Sequence, residues 1–207
     1  MFSCTTEKYD LLYARWLDNP GDLLDLAGYV PGMHLLDLCG GTGAVTREAL
    51  RRGADPDTLT LFDTKPRISI VGVHQVSGDA SEIGEILKNR TYDVVVCRQA
   101  IGYLNIRGPV FEGVSKLLKP RSKFVFNSFI QPRWAWKKYE YLLHRYVEAS
   151  CYFGKKVFHL QWCRGVGFDI SVFQWHTKKD LLDSLAWKFN DVSIIKSSRG
   201  LRWTCTR

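Results

Sequence analysis

Short apolar runs separated by helical segments recur along the middle of this chain, and that alternation restricts its fold more than any other feature. Met33–Cys39 reads as a buried strand, Ala44–Arg52 as a helix and Leu59–Phe62 as a second strand. Ile70–Val76 reads as a third strand, and Ser81–Lys88 as a helix with Ser81 at its N-cap. Tyr92–Cys97 carries Val94-Val95-Val96, a β-branched run suited to a core strand. Val110–Leu118 is a helix stopped by Lys119-Pro120, because proline brings no amide to the next turn. Lys123–Phe129 is the strand after it. Strands alternating with helices imply parallel βαβ units with right-handed crossovers, and so helices on both faces of one sheet.

The two ends of the chain differ from this middle. From Glu7 to Leu26, Tyr9, Leu12, Tyr13 and Trp16 recur at helical spacing. Asn19-Pro20-Gly21-Asp22 breaks that helix, and Asp22 is placed to cap a short second one through Ala27. Beyond the middle, Trp134–Ala149 reads as an aromatic-rich helix and Cys151–Phe173 as strands with a turn near Arg164-Gly165. Thr177 caps a helix through Trp187, with Asp180 in its first turn facing the positive end of the helix dipole. Val192–Ile195 and Leu201–Cys205 pair antiparallel around Arg199-Gly200.

Composition narrows the class. With 207 residues, 45% hydrophobic and 24% charged, the chain can bury a real core as a single domain, 1–207. No apolar run approaches the roughly 20 residues that span a bilayer, and the first residues lack a signal-peptide pattern. The expectation is a soluble, cytoplasmic protein without a membrane partner. None of the six cysteines forms a C-x-x-C pair, so no metal site is expected, and Cys39 and Cys97 read as buried thiols at the ends of apolar runs. The net charge of +8 admits nucleic acid as a partner. The basic residues are spread in short groups, however, and that favours a solvated surface.

The chemistry concentrates at His34-Leu35-Leu36-Asp37-Leu38-Cys39-Gly40-Gly41-Thr42-Gly43. An apolar strand runs into a glycine-rich turn and then a helix, and in open α/β sheets ligands bind at that end of the strand. The turn lacks the Lys-Ser or Lys-Thr ending of a phosphate-binding loop. Asp63 ends the next strand about 20 residues on, the spacing at which a carboxylate accepts hydrogen bonds from a ribose.

These residues resemble the motifs of class I S-adenosylmethionine-dependent methyltransferases. Leu36–Gly43 is similar to the first motif, Asp63 to the second, Gly78-Asp79-Ala80 to the third and Asp93–Cys97 to the fourth. The resemblance covers roughly Met33 to Phe129. It implies a Rossmann-like, doubly wound, mostly parallel seven-stranded sheet with an antiparallel C-terminal strand. It also implies S-adenosyl-L-methionine as cofactor, with S-adenosyl-L-homocysteine as product. Asp37 and the turn of Cys39, Gly40, Gly41 and Gly43 would hold the methionine end. Asp63, with Thr64 beside it, would hold the ribose, Asp79 and Ala80 would flank the adenine, and Cys97 to Gln99 would border the methionine part and the acceptor. Plainer readings stand beside these: Asp37 as a cap of the turn, Asp63 as a surface acid, Asp79 as a helix cap near Ser81. Two departures stand out. Cys39 replaces the family's commoner glycine, which a negative φ would tolerate. Only Thr64–Ser69 remains for a helix between the second and third strands, so that helix should be one turn or absent.

Methyl transfer from a sulfonium needs alignment more than a strong base. The segment Cys97-Arg98-Gln99-Ala100-Ile101-Gly102-Tyr103-Leu104 lacks the Asn-Pro-Pro-Tyr or Asp-Pro-Pro-Tyr pattern of enzymes that methylate exocyclic base amines. It looks more like small-molecule methyltransferases. Arg98, Gln99 and Tyr103 are the candidates for orienting the acceptor, against a surface charge for Arg98 and core packing for Tyr103. Residues 1–30 are expected to form a helical lid, with Tyr13 over the cofactor, and residues 130–176 an acceptor-side insertion. Trp134, Trp136, Tyr139 and Tyr141 offer aromatic faces there, and His144, His159 and His176 read as scattered. The expected partner is a small-molecule acceptor, the expected assembly a monomer or homodimer. An RNA or protein methyltransferase and a non-catalytic cofactor-binding subunit are the alternatives.

Overall fold

The computed structural model describes residues 19–66, 68–128, 176–197 and 200–207. Seven strands form one sheet: β1 (Leu35–Leu38), β2 (Leu59–Asp63), β3 (His74–Ser77), β4 (Tyr92–Cys97), β5 (Leu118–Ser128), β6 (Asp191–Ser197) and β7 (Gly200–Thr206). Their order is β3-β2-β1-β4-β5-β7-β6. The first five run parallel, and β7 lies antiparallel to both β5 and β6. This is the doubly wound sheet with an antiparallel C-terminal strand that the alternation and the closing pair imply.

Helices α1 (Pro20–Ala27), α2 (Ala44–Arg51), α3 (Ile83–Ile86), α4 (Val110–Leu117) and α5 (Lys178–Leu185) cover the sheet. Strand residues alternate between two apolar layers because successive side chains point to opposite faces. Leu35, Leu61, Val94 and Val96 meet Leu23, Leu24, Val45 and Ala49 of α1 and α2. Leu36, Leu38, Val95 and Phe126 meet Ile83, Phe111, Leu181 and Leu185 of α3, α4 and α5. Both faces are therefore buried, as a parallel sheet requires. At the end of β5, Trp203 stacks on Phe126 at 5.5 Å, and its indole N–H donates to Ser128 Oγ at 2.8 Å.

Several local expectations are corrected. Asn19, not Asp22, caps α1: its side chain accepts from the Gly21 amide at 2.9 Å, with Pro20 in the first turn. Asp22 instead accepts from Arg202 at 2.7 Å. Leu23 and Leu24 of α1 are wholly buried in the core layer. Residues 1–18, with Tyr9, Tyr13 and Trp16, lie outside the described residues. The same holds for Trp134–Ala149 and Cys151–Phe173, and so for Trp134, Trp136, Tyr139, Tyr141, His144 and His159.

The third strand is His74–Ser77, not Ile70–Val76. Ile68 and Ile70 pack into the core layer under α1 and α2, where Ile70 comes within 3.0 Å of a Cβ position at Gly43. Among the described residues no helix joins β2 to β3, in line with the short crossover. Asp79, not Ser81, caps the turn into α3, accepting from the Ser81 amide at 2.8 Å. Thr177 caps α5 as expected, in a reciprocal capping box with Asp180. That helix ends before Trp187, which turns left-handed (φ 69°) and stands fully exposed.

Candidate active site

The crevice opens where the strand order reverses, between the carboxyl ends of β1 and β4, the position at which open α/β sheets bind ligands. The register places Leu38 beside Phe62, Asp63 beside Ser77 and Cys97 beside Phe126. The motif residues after β1, β2, β3 and β4 therefore arrive side by side.

Backbone hydrogen bonds lace these strand ends together. The Gly40 amide donates to the Phe62 carbonyl at 3.1 Å, and the Gly78 amide to the Asp63 carbonyl at 3.2 Å. The Gly41 amide donates to Asp63 Oδ2 at 3.0 Å, so the first and second motifs share one carboxylate. Asp63 Oδ1 accepts from the Lys65 amide at 2.9 Å and from Thr64 Oγ1 at 3.4 Å. Each carboxylate oxygen keeps capacity for a further donor. Gly41 (φ 52°) and Gly43 (φ 71°) turn left-handed where the chain enters α2. Asp79 fills its capping role with Oδ1, which also takes the Ser81 hydroxyl at 2.7 Å. Those bonds hold its carboxyl below the usual range. Ala80 beside it is buried.

Asp37 sits inward of the turn, 1% exposed. Its Oδ2 accepts from the Thr46 amide at 3.1 Å and from Thr46 Oγ1 at 2.8 Å. Burial pushes this carboxyl up to about 6, against the Thr46 bonds and the nearby Arg98 charge, which favour ionisation. Asp37 thus shapes the turn from behind, which fits its plainer reading as a cap. Asp93, in the fourth motif, serves structure at the opposite end of β4. It accepts from the His34 amide at 2.8 Å and pairs with Lys119 at 2.7 Å.

Cys39 departs from the tolerance condition, because its φ is +57°. Its thiol lies within hydrogen-bonding reach of buried Cys97, and that contact together with burial pushes the Cys97 thiol well up. Cys39, Cys97 and Cys205 are free thiols, and no cluster of three metal-ligating side chains occurs among the described residues. A left-handed non-glycine residue costs about 1–2 kcal/mol, and glycine's extra freedom in the unfolded chain returns about 0.4–1 of that. Cys39→Gly should therefore raise stability by about 0.5 kcal/mol, whereas β-branched Cys39→Val should lower it by about 1–2 kcal/mol. Urea unfolding midpoints that failed to rank Gly above Cys above Val would show that no strain resides there.

Arg98 and Gln99 follow β4 directly, and Tyr103 closes the short Ile101–Tyr103 turn. All three are half-buried. Gln99 also turns left-handed, at φ 61°, and its Nε2 is buried without a partner among the described residues. Two neighbours were not among the sequence candidates. Buried Asn127, at the end of β5, accepts from the Gln99 amide at 2.7 Å. His176 is buried behind the turn, within reach of the Ile101 and Leu104 carbonyls, and burial lowers its pKa. Asn127 had a visible signal, a polar residue ending the apolar run Phe124-Val125-Phe126. His176 had none.

The family described as "Methyltransferase domain" matches residues 11–171. The chain belongs to this methyltransferase family. It is 20% identical over 150 residues to a ubiquinone biosynthesis O-methyltransferase of Photorhabdus laumondii, covering 63% of this chain and 62% of the relative. It is 25% identical over 121 residues to the ubiquinone/menaquinone biosynthesis C-methyltransferase UbiE of Idiomarina loihiensis, covering 53% and 47%. The chain therefore spans about half to three-fifths of the curated relatives it matches. In fold, the chain is similar to the pyocyanin biosynthetic protein PhzM, with a TM-score of 0.62 at 14% identity over 97% of this chain and 58% of that one. It is also similar to human N-acetylserotonin methyltransferase, solved with S-adenosylmethionine, with a TM-score of 0.56 at 16% identity over 98% and 54%. The fold is thus the class I methyltransferase fold. Among the described residues, no helix is long and apolar enough to cross a membrane.

Proposed function

We propose that this chain transfers a methyl group from S-adenosylmethionine to a nitrogen, oxygen or sulfur nucleophile of a small molecule. The observation that carries this reading is the shared carboxylate. Asp63 takes the Gly41 amide and is only half-buried, so one side chain sets the glycine turn and keeps acceptor capacity for ribose hydroxyls. The crevice residues fit the cofactor. Glycines at 40, 41 and 43 let a ligand approach the main chain, and Asp79, capped on Oδ1, keeps Oδ2 for an adenine amino group.

Bound S-adenosylmethionine supplies a methyl group already activated on a sulfonium. The chain's own part is then binding and alignment, which supplies much of such a rate. Asp37 and Thr46 hold the turn, and Cys97 and Cys39 wall the methionine side. Arg98, Gln99 and Tyr103 orient the acceptor. The buried Gln99 Nε2 is a donor suited to an acceptor lone pair. A small-molecule acceptor is supported by the metabolite names of the curated relatives.

Calorimetric titration with S-adenosylhomocysteine tests the reading. The native chain should bind, and Asp63→Ala should weaken binding about tenfold to hundredfold, the loss of one or two charge-assisted hydrogen bonds. No heat of binding to the native chain at about 1 mM ligand would overturn the proposal.

A further inference from the structure

We infer that Asn127 is a positioning residue: its side-chain oxygen holds Gln99 in a left-handed turn and so sets the wall between the cofactor's methionine half and the acceptor. This rests on the proposed function above.

Gln99 has φ 61°, a conformation that L residues with long side chains adopt at a cost of about 1–2 kcal/mol. Something must compensate, and the structure shows one bond placed to do so. The Gln99 amide donates to Asn127 Oδ1 at 2.7 Å, and Asn127 is 3% exposed. Gln99 follows β4 by two residues and Asn127 lies on the neighbouring parallel strand β5, and the last residues paired between these two strands are Cys97 and Phe126. Both therefore stand just beyond the β4–β5 pairing, where no strand partner takes the Gln99 amide.

The bond acts on the site through what surrounds residue 99. Cys97 touches Cys39 of the glycine turn, Arg98 faces Asp37 electrostatically, and Gln99 places a carboxamide whose buried nitrogen has no partner among the described residues. A change of φ at residue 99 would re-aim the Gln99 side chain and the turn through Tyr103 that follows it. A buried amide anchor on a side-chain oxygen thus sets where Gln99 and that turn stand.

Three variants test this: Asn127→Ala, Asn127→Asp and Asn127→Ala combined with Gln99→Gly. Aspartate keeps an oxygen for the amide, and glycine holds a left-handed φ without strain. Asn127→Ala should raise the dissociation constant for S-adenosylhomocysteine about tenfold, in line with one lost buried hydrogen bond. Asn127→Asp should restore it to within about threefold of the native value, and the alanine penalty should shrink to about threefold in the Gln99→Gly background. A purely structural asparagine would lower the melting temperature without aspartate rescue and would give the same penalty with either residue at 99. That result would overturn the inference.

Amide hydrogen exchange at Gln99 gives a reading independent of the cofactor. Protection in the native chain and in Asn127→Asp, with its loss in Asn127→Ala, supports the anchor even if no S-adenosylhomocysteine binds and the proposed function fails. Rapid exchange at Gln99 in the native chain overturns the anchor whatever the ligand does.

Discussion

Gly40→Ala should abolish measurable S-adenosylhomocysteine binding and lower the melting temperature by about 2–12 °C, the shift that about 1–3 kcal/mol of overpacking produces in a chain of this length. The cause is steric and local. A Cβ on Gly40 would stand 2.7 Å from Asp37 Cγ and 2.9 Å from both carboxylate oxygens. Asp37 has nowhere to go, because it is buried and its Oδ2 takes two bonds from Thr46. The turn must therefore move instead. Moving it breaks the Gly40 bond to the Phe62 carbonyl and pulls Gly41 from Asp63, and those two bonds tie the glycine turn to the end of β2.

The companion variant separates wedge from fold. Replacing Asp37 by serine in the Gly40→Ala chain removes the colliding carboxylate, and the two changes should be strongly non-additive, since they share one contact. Recovery of at least half the lost melting temperature is the expected outcome. A Gly40→Ala chain that binds S-adenosylhomocysteine within about twofold of the native chain would show that the turn accommodates the methyl group, and the close approach would then carry no functional weight.

How much of this was legible beforehand depended on the range of the interaction. The strand–turn–helix from Leu35 to Arg51, Asp63 at the end of β2 and the closing hairpin follow from local pattern, and the structure places them accordingly. Boundaries went astray where two readings of one pattern compete. Ile68 and Ile70 look like strand residues, but they fill the space beside Gly43 at the start of α2, and pairing begins only at His74. Two short polar side chains competed for each helix cap, Asn19 with Asp22 and Asp79 with Ser81. In each pair the earlier residue won, since it stands where the chain leaves its preceding segment. The left-handed Cys39 stayed hidden because residue type predicts φ poorly outside glycine. Asn127 and His176 act across the sheet end on residues distant in sequence, so no periodicity connects them to the segment they support.

The pH dependence of stability should carry the mark of Asp37. Its carboxyl is raised by burial to about 6 in the folded chain, from an ordinary value near 4 in the unfolded one. The folded state therefore binds this proton more tightly than the unfolded state. Its stabilisation is complete below about pH 4 and is lost as pH rises from about 4 to about 6. Above that range a constant penalty of about 3 kcal/mol remains, since each tenfold difference in proton affinity is worth about 1.4 kcal/mol. Asp37→Asn removes the titration, while its amide oxygen can still take the Thr46 bonds. The stability of the asparagine chain relative to the native one should therefore climb by up to about 3 kcal/mol between pH 4 and pH 6 and stay flat above pH 7. Glu48 moves the opposite way, to about 2 through Arg51 and Arg52, but it is common to both chains and cancels in the difference. Urea midpoints of the pair across pH 4 to pH 8 measure this directly. A difference that does not change with pH would mean that Asp37 is solvated, and then the turn it supports is open to water. Cofactor binding supplies the second half of the argument. A cationic amino group bound near the glycine turn would favour the ionised carboxylate, so S-adenosylhomocysteine should bind more weakly as pH falls below 6 in the native chain. In the asparagine chain that pH dependence should vanish, which ties the buried acid to the ligand through one proton.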